Sequence, residues 1–286
     1  MKKLSKILMI AATALLTSSL FTGCSSMMSV NIPIKKEVGQ LNLETEPLKQ
    51  QQFTDKVIAI VDPQFTYKVN QVNPQSQINP LFGYRYRLSR YVFSPTKYFQ
   101  KTYEQRLAKA LETELENILI KKGFKIKGPY TTFDDITYQD KKTIYLALIP
   151  KINLDIKKVS TEKKCETLYC TEKGKIMFGG DVIITLEEPL TGQIFMKKRI
   201  NLSDANIVEP YIYQYQIATS TGDLVQDTLA KASVPKQLID NRDKAMADGI
   251  NKFYKYAVAK IRKYLDREEI LSYQKDVEKL KNLKRY

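Results

Sequence analysis

The pattern of apolar and polar residues after position 55 predicts a sheet of five strands. Val57–Val61 is a continuous apolar run closed by Asp62 and Pro63, which is typical of a strand buried on both faces inside a sheet. Four later strands are predicted over residues 124–130, 144–156, 175–186 and 194–202. Because the last three have short connections, we expect them to be antiparallel neighbours.

Two segments carry apolar residues at helical spacing. The first begins with Ser94 as N-cap and Pro95 as its first residue, and Gly123 ends it. The second begins at about Gln237 and continues past Met246 and Ile261. The predicted fold is therefore α+β, a mixed five-stranded sheet with the two long helices packed on one face.

The remaining segments have weaker patterns. A seam of Ile270 and Val277 continues into a charged C-terminal helical tail from about residue 266, which either packs on the body or binds a partner helix. Residues 157–175 are predicted as a turn, and residues 203–234 as loop. Tyr211, Tyr213 and Tyr215 alternate in that loop, either at the edge of the core or on a contact surface.

The start of the chain has the three parts of a bacterial export signal. A basic start at residues 2–6 and an apolar run over 7–16 lead to Gly23 and Cys24, followed by Ser25. The apolar run is shorter than the roughly 20 residues that span a bilayer, so cleavage before Cys24 is favoured over a single-pass anchor. Lipid on Cys24 would hold the protein stably on a membrane. By analogy with lipoprotein sorting, Ser25 in place of Asp is compatible with the outer membrane.

These features divide the chain into three parts. Residues 1–23 are the lipoprotein signal peptide, residues 24–54 a lipidated tether with little periodicity, and residues 55–286 a single α+β body that includes the helical extension. Hydrophobic residues make up 43% of the chain, which supports one packed core.

The net charge is strongly positive. It is +15 for the whole chain, and the loss of the three lysines of residues 1–23, which contain no acid, leaves +12. An exported protein of this charge meets anionic lipid, acidic sugars or envelope proteins, so we expect no nucleic-acid partner. The same charge also serves solubility alone.

Composition argues against catalysis and against a bound cofactor or metal. The chain has no histidine, and neither a phosphate-binding glycine loop nor a nucleophile elbow occurs. Cys165 and Cys170 are too few to complete a zinc site. In an oxidising compartment they are expected to form a disulfide, which in the chain-entropy model contributes about 2 kcal/mol.

The chain resembles a known family in two stretches. The turn Leu186–Gly192 and the closing Ser272–Asp276, followed by Leu280 and Lys281, are similar to the neuraminyllactose-binding haemagglutinin family, as is the order of elements. The resemblance covers most of the chain from about residue 55. It implies a non-enzymatic lipoprotein of the outer membrane, on the cell surface or the flagellar sheath, that acts as an adhesin for sialylated glycans.

The family's proposed sialic-acid motif is a basic heptapeptide, Lys-Arg-Thr-Ile-Gln-Lys-Lys. The matching stretch here retains Lys158, Lys163 and Lys164, but Val159 replaces the arginine and Glu162 replaces the glutamine. A guanidinium grips a carboxylate with two parallel hydrogen bonds and an ammonium does not. The stretch is therefore either a glycan contact that has lost its arginine or a solvated hairpin tip.

A second candidate for an anionic ligand combines aromatic and guanidinium groups. It consists of Tyr84, Arg85, Tyr86, Arg87 and Arg90. Tyrosine faces suit sugar stacking and arginines suit an acidic group. In an extended chain, however, alternation would place the tyrosines on one face and the arginines on the other. The tyrosines then cover the core while the arginines face water.

Two functions stay open from the sequence. The resemblance favours an adhesin for sialylated glycans. The departures in the heptapeptide favour a structural envelope or flagellar-sheath lipoprotein that docks on anionic lipid or protein partners through its basic surface.

Overall fold

The computed structural model describes residues 30–68, 93–218, 220 and 224–283. The strands of this part of the chain are β1 (Ile34–Lys36), β2 (Val57–Val61), β3 (Gln64–Tyr67), β4 (Lys125–Tyr130), β5 (Leu146–Cys165), β6 (Tyr169–Glu188), β7 (Gln193–Asn201), β8 (Ile207–Gln216) and β9 (Leu238–Asp240). These nine strands form one sheet in the order β1-β9-β8-β6-β5-β2-β4, while β3 pairs with β5 and β7 with β6. The helices are α1 (Pro95–Thr102), α2 (Glu104–Lys121), α3 (Tyr138–Thr143), α4 (Leu224–Ser233), α5 (Arg242–Tyr264), α6 (Arg267–Ser272) and α7 (Gln274–Leu283).

The core lies between the sheet and the long helices α2 and α5. Ile58 and Ile60 of β2 pack with buried residues of both helices in one cluster, whereas Ala59 packs in a smaller cluster with Ile136 and Ile144. Because successive residues of a strand point to opposite faces, both long helices cover the same face of the sheet. The α+β class with two helices on one face is confirmed.

The predicted strand contacts are also confirmed for the inner part of the sheet. Strand β2 is bonded in parallel to β4 on one side and β5 on the other, and Ile58–Val61 are buried. Strands β5, β6 and β7 are antiparallel neighbours.

The prediction of five strands was too low. Strand β8 lies inside the predicted loop 203–234, and β5 and β6 continue through the predicted turn 157–175 until Cys165 lies opposite Cys170. These segments carry tyrosines and charged residues instead of aliphatic ones, so the apolar pattern that predicts strands is absent from them. The short strands β1, β3 and β9 have too few residues to show any period.

Both predicted helices begin or continue differently from the sequence pattern. Ser94 caps the first helix through its side chain, as expected, but the helix divides at Tyr103, whose hydroxyl donates to Asp243. The second helix begins at Arg242, because residues 238–240 form β9.

The C-terminal tail packs on the body. Ile270 of α6 and Val277 of α7 are buried in the main core cluster. The hydroxyl of Tyr145 donates to the carbonyl of Ile270 at 2.7 Å. Of the two alternatives for the tail, the structure therefore shows packing on the body.

Residues 30–54, predicted as a tether, contact the body along their length. Strand β1 pairs in parallel with β9, and the amide of Gly39 donates to the Asp243 carboxylate at 2.7 Å. Farther along, the hydroxyl of Thr45 donates to Glu114 at 3.1 Å. Cys24 lies outside the described residues. No helix of the described segments is long and apolar enough to cross a bilayer.

We expect Gly249→Ala to destabilise the protein. A Cβ at Gly249 in α5 would lie 2.1 Å from Cε2 of the Phe178 ring, so helix and sheet would have to separate. Overpacking costs about 1–3 kcal/mol, which exceeds the gain of about 1 kcal/mol in helix propensity. Urea unfolding at neutral pH measures the change.

The matched control for this variant is Gly179→Ala. A Cβ there would meet Asp155 at no less than 3.8 Å, an ordinary contact. Equal midpoints for Gly249→Ala and the wild type would show that α5 does not approach the sheet this closely.

Candidate functional site: the tyrosine face of the long hairpin

The outer half of the β5–β6 hairpin extends beyond the long helices. It carries polar residues on the same side of the sheet that the helices cover in the inner half. The apolar residues of β5 on this side end at Ile156, and the next residue on the same side is Lys158. Strand β8 pairs with the outer half of β6 and adds alternate tyrosines to the same side. We call this surface the tyrosine face; it consists of Lys158, Lys163, Glu172, Tyr211, Tyr213 and Tyr215.

Glu172 is the charged centre of the tyrosine face. Its Oε1 lies 2.8 Å from Nζ of Lys158 and also accepts the hydroxyl of Tyr211. Burial alone would raise the pKa of Glu172, but the bonds from Lys158 and Tyr211 outweigh it and the pKa lies below its ordinary value. Burial and then the bond to Glu172 raise the pKa of Tyr211. The carboxylate therefore stays charged and holds Lys158 in place.

Arg242, the first residue of α5, lies at the edge of this face. Its Cζ is 3.3 Å from the ring centroid of Tyr213 and 4.7 Å from that of Phe93. Its Nε and Nη2 donate to the two carboxylate oxygens of Asp240, each at 2.8 Å. Burial opposes the charge of Arg242, but Asp240 outweighs it and the pKa is raised. With its side chain 15% exposed, the guanidinium is a fixed part of the structure.

Asp243 joins α5 to two other elements. It accepts the hydroxyls of Tyr98 at 2.7 Å and Tyr103 at 2.5 Å, besides the amide of Gly39. Burial, followed by the bond to Asp243, raises the pKa of Tyr98 to about 12. A carboxylate in the first turn of a helix is also favoured by the helix dipole. Asp243 thus fixes the N-terminus of α5 beside the tyrosine face.

The three lysines of the heptapeptide-like stretch do not converge. A register shift between Ser160 and Glu162 puts Lys163 opposite Glu172, so that Lys158 and Lys163 share the tyrosine face. Nζ of Lys163 lies 5.7 Å from the ring centroid of Tyr215. The next residue, Lys164, points to the other face by alternation.

Charged partners also distinguish these lysines. Lys158 pairs with Glu172, and Nζ of Lys164 lies 3.2 Å from Glu166. Lys163 has no carboxylate partner among the described residues. The Glu162 carboxylate, which replaces the glutamine of the motif, lies 3.1 Å from Nζ of Lys173.

The tip of the hairpin is closed covalently and packed from below. Cys165 and Cys170 are bonded in a disulfide. Leu168 in the tip loop is buried with Val30 and Ile32 of the N-terminal segment. The tip is therefore fixed both by the disulfide and by a small apolar cluster.

The arginine and tyrosine candidates Tyr84, Arg85, Tyr86, Arg87 and Arg90 lie outside the described residues. Phe93, three residues after Arg90, is the first residue described after them, and its ring contacts Arg242 and Tyr98. Sequence reasoning did not single out Glu172, Arg242 or Asp243. The alternation of Tyr211, Tyr213 and Tyr215 was the available signal, since a period of two is that of a strand.

We expect Glu172→Gln to destabilise the protein by about 2 kcal/mol at neutral pH, since hydrogen bonds to a charged group contribute this order. The pKa of Glu172 is lowered by folding, so its contribution is complete above the ordinary value of 4.5 and is lost as the pH falls through the lower folded value. Urea unfolding of both proteins from pH 7 downward checks this. A difference that persisted undiminished at the lowest pH would show that the carboxylate charge is not the cause.

Comparison with known proteins places this architecture in a family. The profile described as "Neuraminyllactose-binding hemagglutinin precursor" matches residues 93–284. The neuraminyllactose-binding hemagglutinin of Helicobacter pylori strain 26695 is 28% identical over 204 residues, which are 68% of this chain and 75% of that protein. Its counterpart from strain J99 is 27% identical over 205 residues, 68% and 76% of the two chains.

A solved structure shares the fold. The crystal structure of a neuraminyllactose-binding hemagglutinin homologue from Helicobacter pylori superposes with a TM-score of 0.52 at 17% identity, covering 82% of this chain and 99% of that one. The profile match extends over more than half of the sequence and includes the long hairpin, β8 and both terminal helices. The chain belongs to the neuraminyllactose-binding hemagglutinin family.

Proposed function

We propose that the protein is an outer-membrane lipoprotein, anchored through Cys24, that binds sialylated glycans without catalysing a reaction. Its relatives are named for binding neuraminyllactose. The export signal and the Gly23–Cys24 pair support lipidation, and two or more acyl chains give stable attachment. The family and the leader thus point to a binding protein on the outer surface of a bacterium or on its flagellar sheath.

The observation that carries glycan binding is the position of Lys163 beside two stacked tyrosines. The rings of Tyr213 and Tyr215 stack with centroids 5.1 Å apart, and Lys163 lies above Tyr215. Aromatic rings suit the apolar face of a sugar, and an ammonium without a carboxylate partner among the described residues suits the sialate carboxylate. Lys163 and Tyr215 are therefore the proposed contact residues. Tyr213, whose ring is covered by Arg242, supports Tyr215 by stacking against it.

The substitutions in the heptapeptide weaken this contact less than the sequence implied. Glu162 would repel a sialate, but its pairing with Lys173 offsets the negative charge. Val159, which replaces the arginine of the motif, lies opposite Lys175 and away from the tyrosine pair.

Three cations of this face lie beside tyrosine rings. Lys158 is paired with Glu172 and Arg242 with Asp240, whereas Lys163 has no carboxylate partner among the described residues.

A second function is favoured by the pairing of the other charges. Lys158, Arg242 and Asp243 all have partners within the fold, as structural groups do. A structural protein of the envelope or flagellar sheath would use its remaining basic surface to dock on anionic lipid or protein. Such a protein would keep its outer-membrane location without binding neuraminyllactose.

We expect Lys163→Gln to raise the Kd for neuraminyllactose about fivefold, since an exposed ion pair contributes up to about 1 kcal/mol. Tyr215→Ala should weaken binding further, and Tyr215→Phe should retain most of it, because the ring supplies the stacking surface. Calorimetry or a glycan array measures the affinities, with lactose as the uncharged ligand.

Lys164→Gln is the matched control for Lys163→Gln. It removes the same charge from the neighbouring residue on the opposite face of the hairpin, so its Kd should equal that of the wild type. If both variants lost affinity equally, the effect would come from net charge and not from a contact of Lys163. No sialic-acid-dependent binding by the wild type would remove the adhesin function and leave the structural one.

We expect the natural protein to begin at Cys24 with lipid on its sulfur. Mass spectrometry of the N-terminal peptide from the outer-membrane fraction should show the added acyl mass. Cys24→Ala should retain residues 1–23 and disappear from that fraction. An intact leader with an unmodified Cys24 thiol in the wild type contradicts the anchor.

A further inference from the structure

The N-terminal segment joins the body at the tip of the long hairpin. Val30 and Ile32 are buried against Leu168 of the tip loop and Leu238 of β9. The side-chain amide of Gln216 accepts the Ile32 amide at 3.2 Å and donates to the Val30 carbonyl. Val30 is therefore held at the tip by both apolar and polar contacts.

The length of chain between Cys24 and Val30 limits the distance of an anchor from this tip. The two positions are six residues apart in the sequence. A fully extended chain covers at most about 3.6 Å per residue, so the separation is roughly 20 Å or less. Each strand of the hairpin has 20 residues, which corresponds to roughly 65 Å. A lipid on Cys24 thus brings the hairpin tip, and not the opposite end of the sheet, to the membrane.

Exposed apolar side chains lie at the same end of the molecule. The Ile217 amide donates to the Leu168 carbonyl at 2.8 Å, while the Ile217 side chain is 46% exposed. Helix α4 ends at Ser233, next to Val234, which packs against the Leu168 cluster. On this helix Val225 and Leu229 are 70% and 67% exposed. At a spacing of four residues they share one helix face.

Exposed lysines lie on the same or neighbouring elements. Lys164 follows Lys163 at the tip, with its side chain 73% exposed, and Lys236 is exposed between α4 and β9. Lys231 of α4 is exposed as well, but it is two residues from Leu229 and therefore lies on the opposite face of that helix. Exposed apolar groups flanked by lysines are typical of surfaces that lie in the interface of a membrane. On surfaces of this kind the apolar groups reach the boundary of the acyl chains, while the ammonium groups stay among the anionic headgroups.

We propose that the hairpin tip and α4 lie on the anionic phospholipid surface of the membrane that holds the Cys24 lipid. Ile217, Val225 and Leu229 enter the headgroup layer. Lys236 contacts its phosphates together with Lys164, whose ion pair with Glu166 is exposed to solvent. This orientation rests on the proposed lipidation of Cys24. It makes the protein a body that stands with its hairpin tip on the membrane and its long helices above.

The orientation leaves the proposed glycan contact open. Side chains of a strand project perpendicular to the sheet. With the hairpin axis along the membrane normal, Tyr213, Tyr215 and Lys163 therefore face sideways, parallel to the membrane plane. Lys164 projects from the opposite face of the hairpin, one residue nearer the tip, and its long side chain can bend toward the headgroups.

The test uses the full-length lipidated protein in vesicles of phosphatidylethanolamine and phosphatidylglycerol with brominated acyl chains. A fluorophore is attached to Leu229→Cys or, as the matched control, to Ile120→Cys on α2, which is 43% exposed. The Cys165–Cys170 disulfide and the lipid on Cys24 keep the other sulfurs unreactive. We expect at least threefold stronger quenching at position 229 than at position 120, and weaker quenching at 229 in vesicles without phosphatidylglycerol.

The outcomes separate this orientation from the anchor itself. Equal quenching at both positions, on protein whose Cys24 lipid is confirmed by mass spectrometry, overturns the orientation and leaves the lipoprotein function intact. Equal quenching at position 229 in vesicles with and without phosphatidylglycerol overturns the role of the lysines. An unmodified Cys24 in natural material overturns the anchor and, with it, this orientation.

Discussion

Backbone pairing between β5 and β6 carries the sheet well beyond the helices that cover its inner half. The ladder runs without a break in pairing from Ala147 opposite Glu187 to Cys165 opposite Cys170, apart from one register shift. A two-stranded ribbon is marginal in water. Here β8 adds a third strand along β6, and the tip is closed by the disulfide and the Leu168 cluster. The tyrosine face and the docking of the N-terminal segment both depend on this extended ladder.

The charged groups on and beside the outer half of the hairpin are paired. Partly buried ions are costly unless they are paired, and Glu172, Asp240 and Asp243 each have partners at 2.5 to 2.8 Å. On this face the carboxylates therefore offset the neighbouring cations Lys158 and Arg242. Discrimination there depends on the position of single groups, of which Lys163 beside Tyr215 is the clearest.

The sequence predicts those parts of the fold in which burial imposes an aliphatic pattern. Strand β2 and the inner halves of β5 and β6 have that pattern because helices cover them, whereas β8 presents tyrosines in the same period of two and was assigned to a loop. The aromatic contacts of Arg242 and Asp243 join residues that are far apart in the sequence. Arg242 contacts Phe93, and Asp243 accepts the hydroxyls of Tyr98 and Tyr103. The face to which Lys163 points is set by a bulge, and a shift of one residue reverses every side chain beyond it.

The bulge also connects the two proposed surfaces. In the ladder Lys163 lies opposite Glu172, two residues from Cys170 in β6, so it is roughly 7 Å along the strand from the disulfide. If the tip rests on the bilayer, the tyrosine pair lies close above the headgroups. Under both proposals a glycan would reach Tyr215 from the side of the hairpin, because the membrane covers the tip. The lipid anchor would therefore limit the directions from which a ligand can approach the tyrosine face.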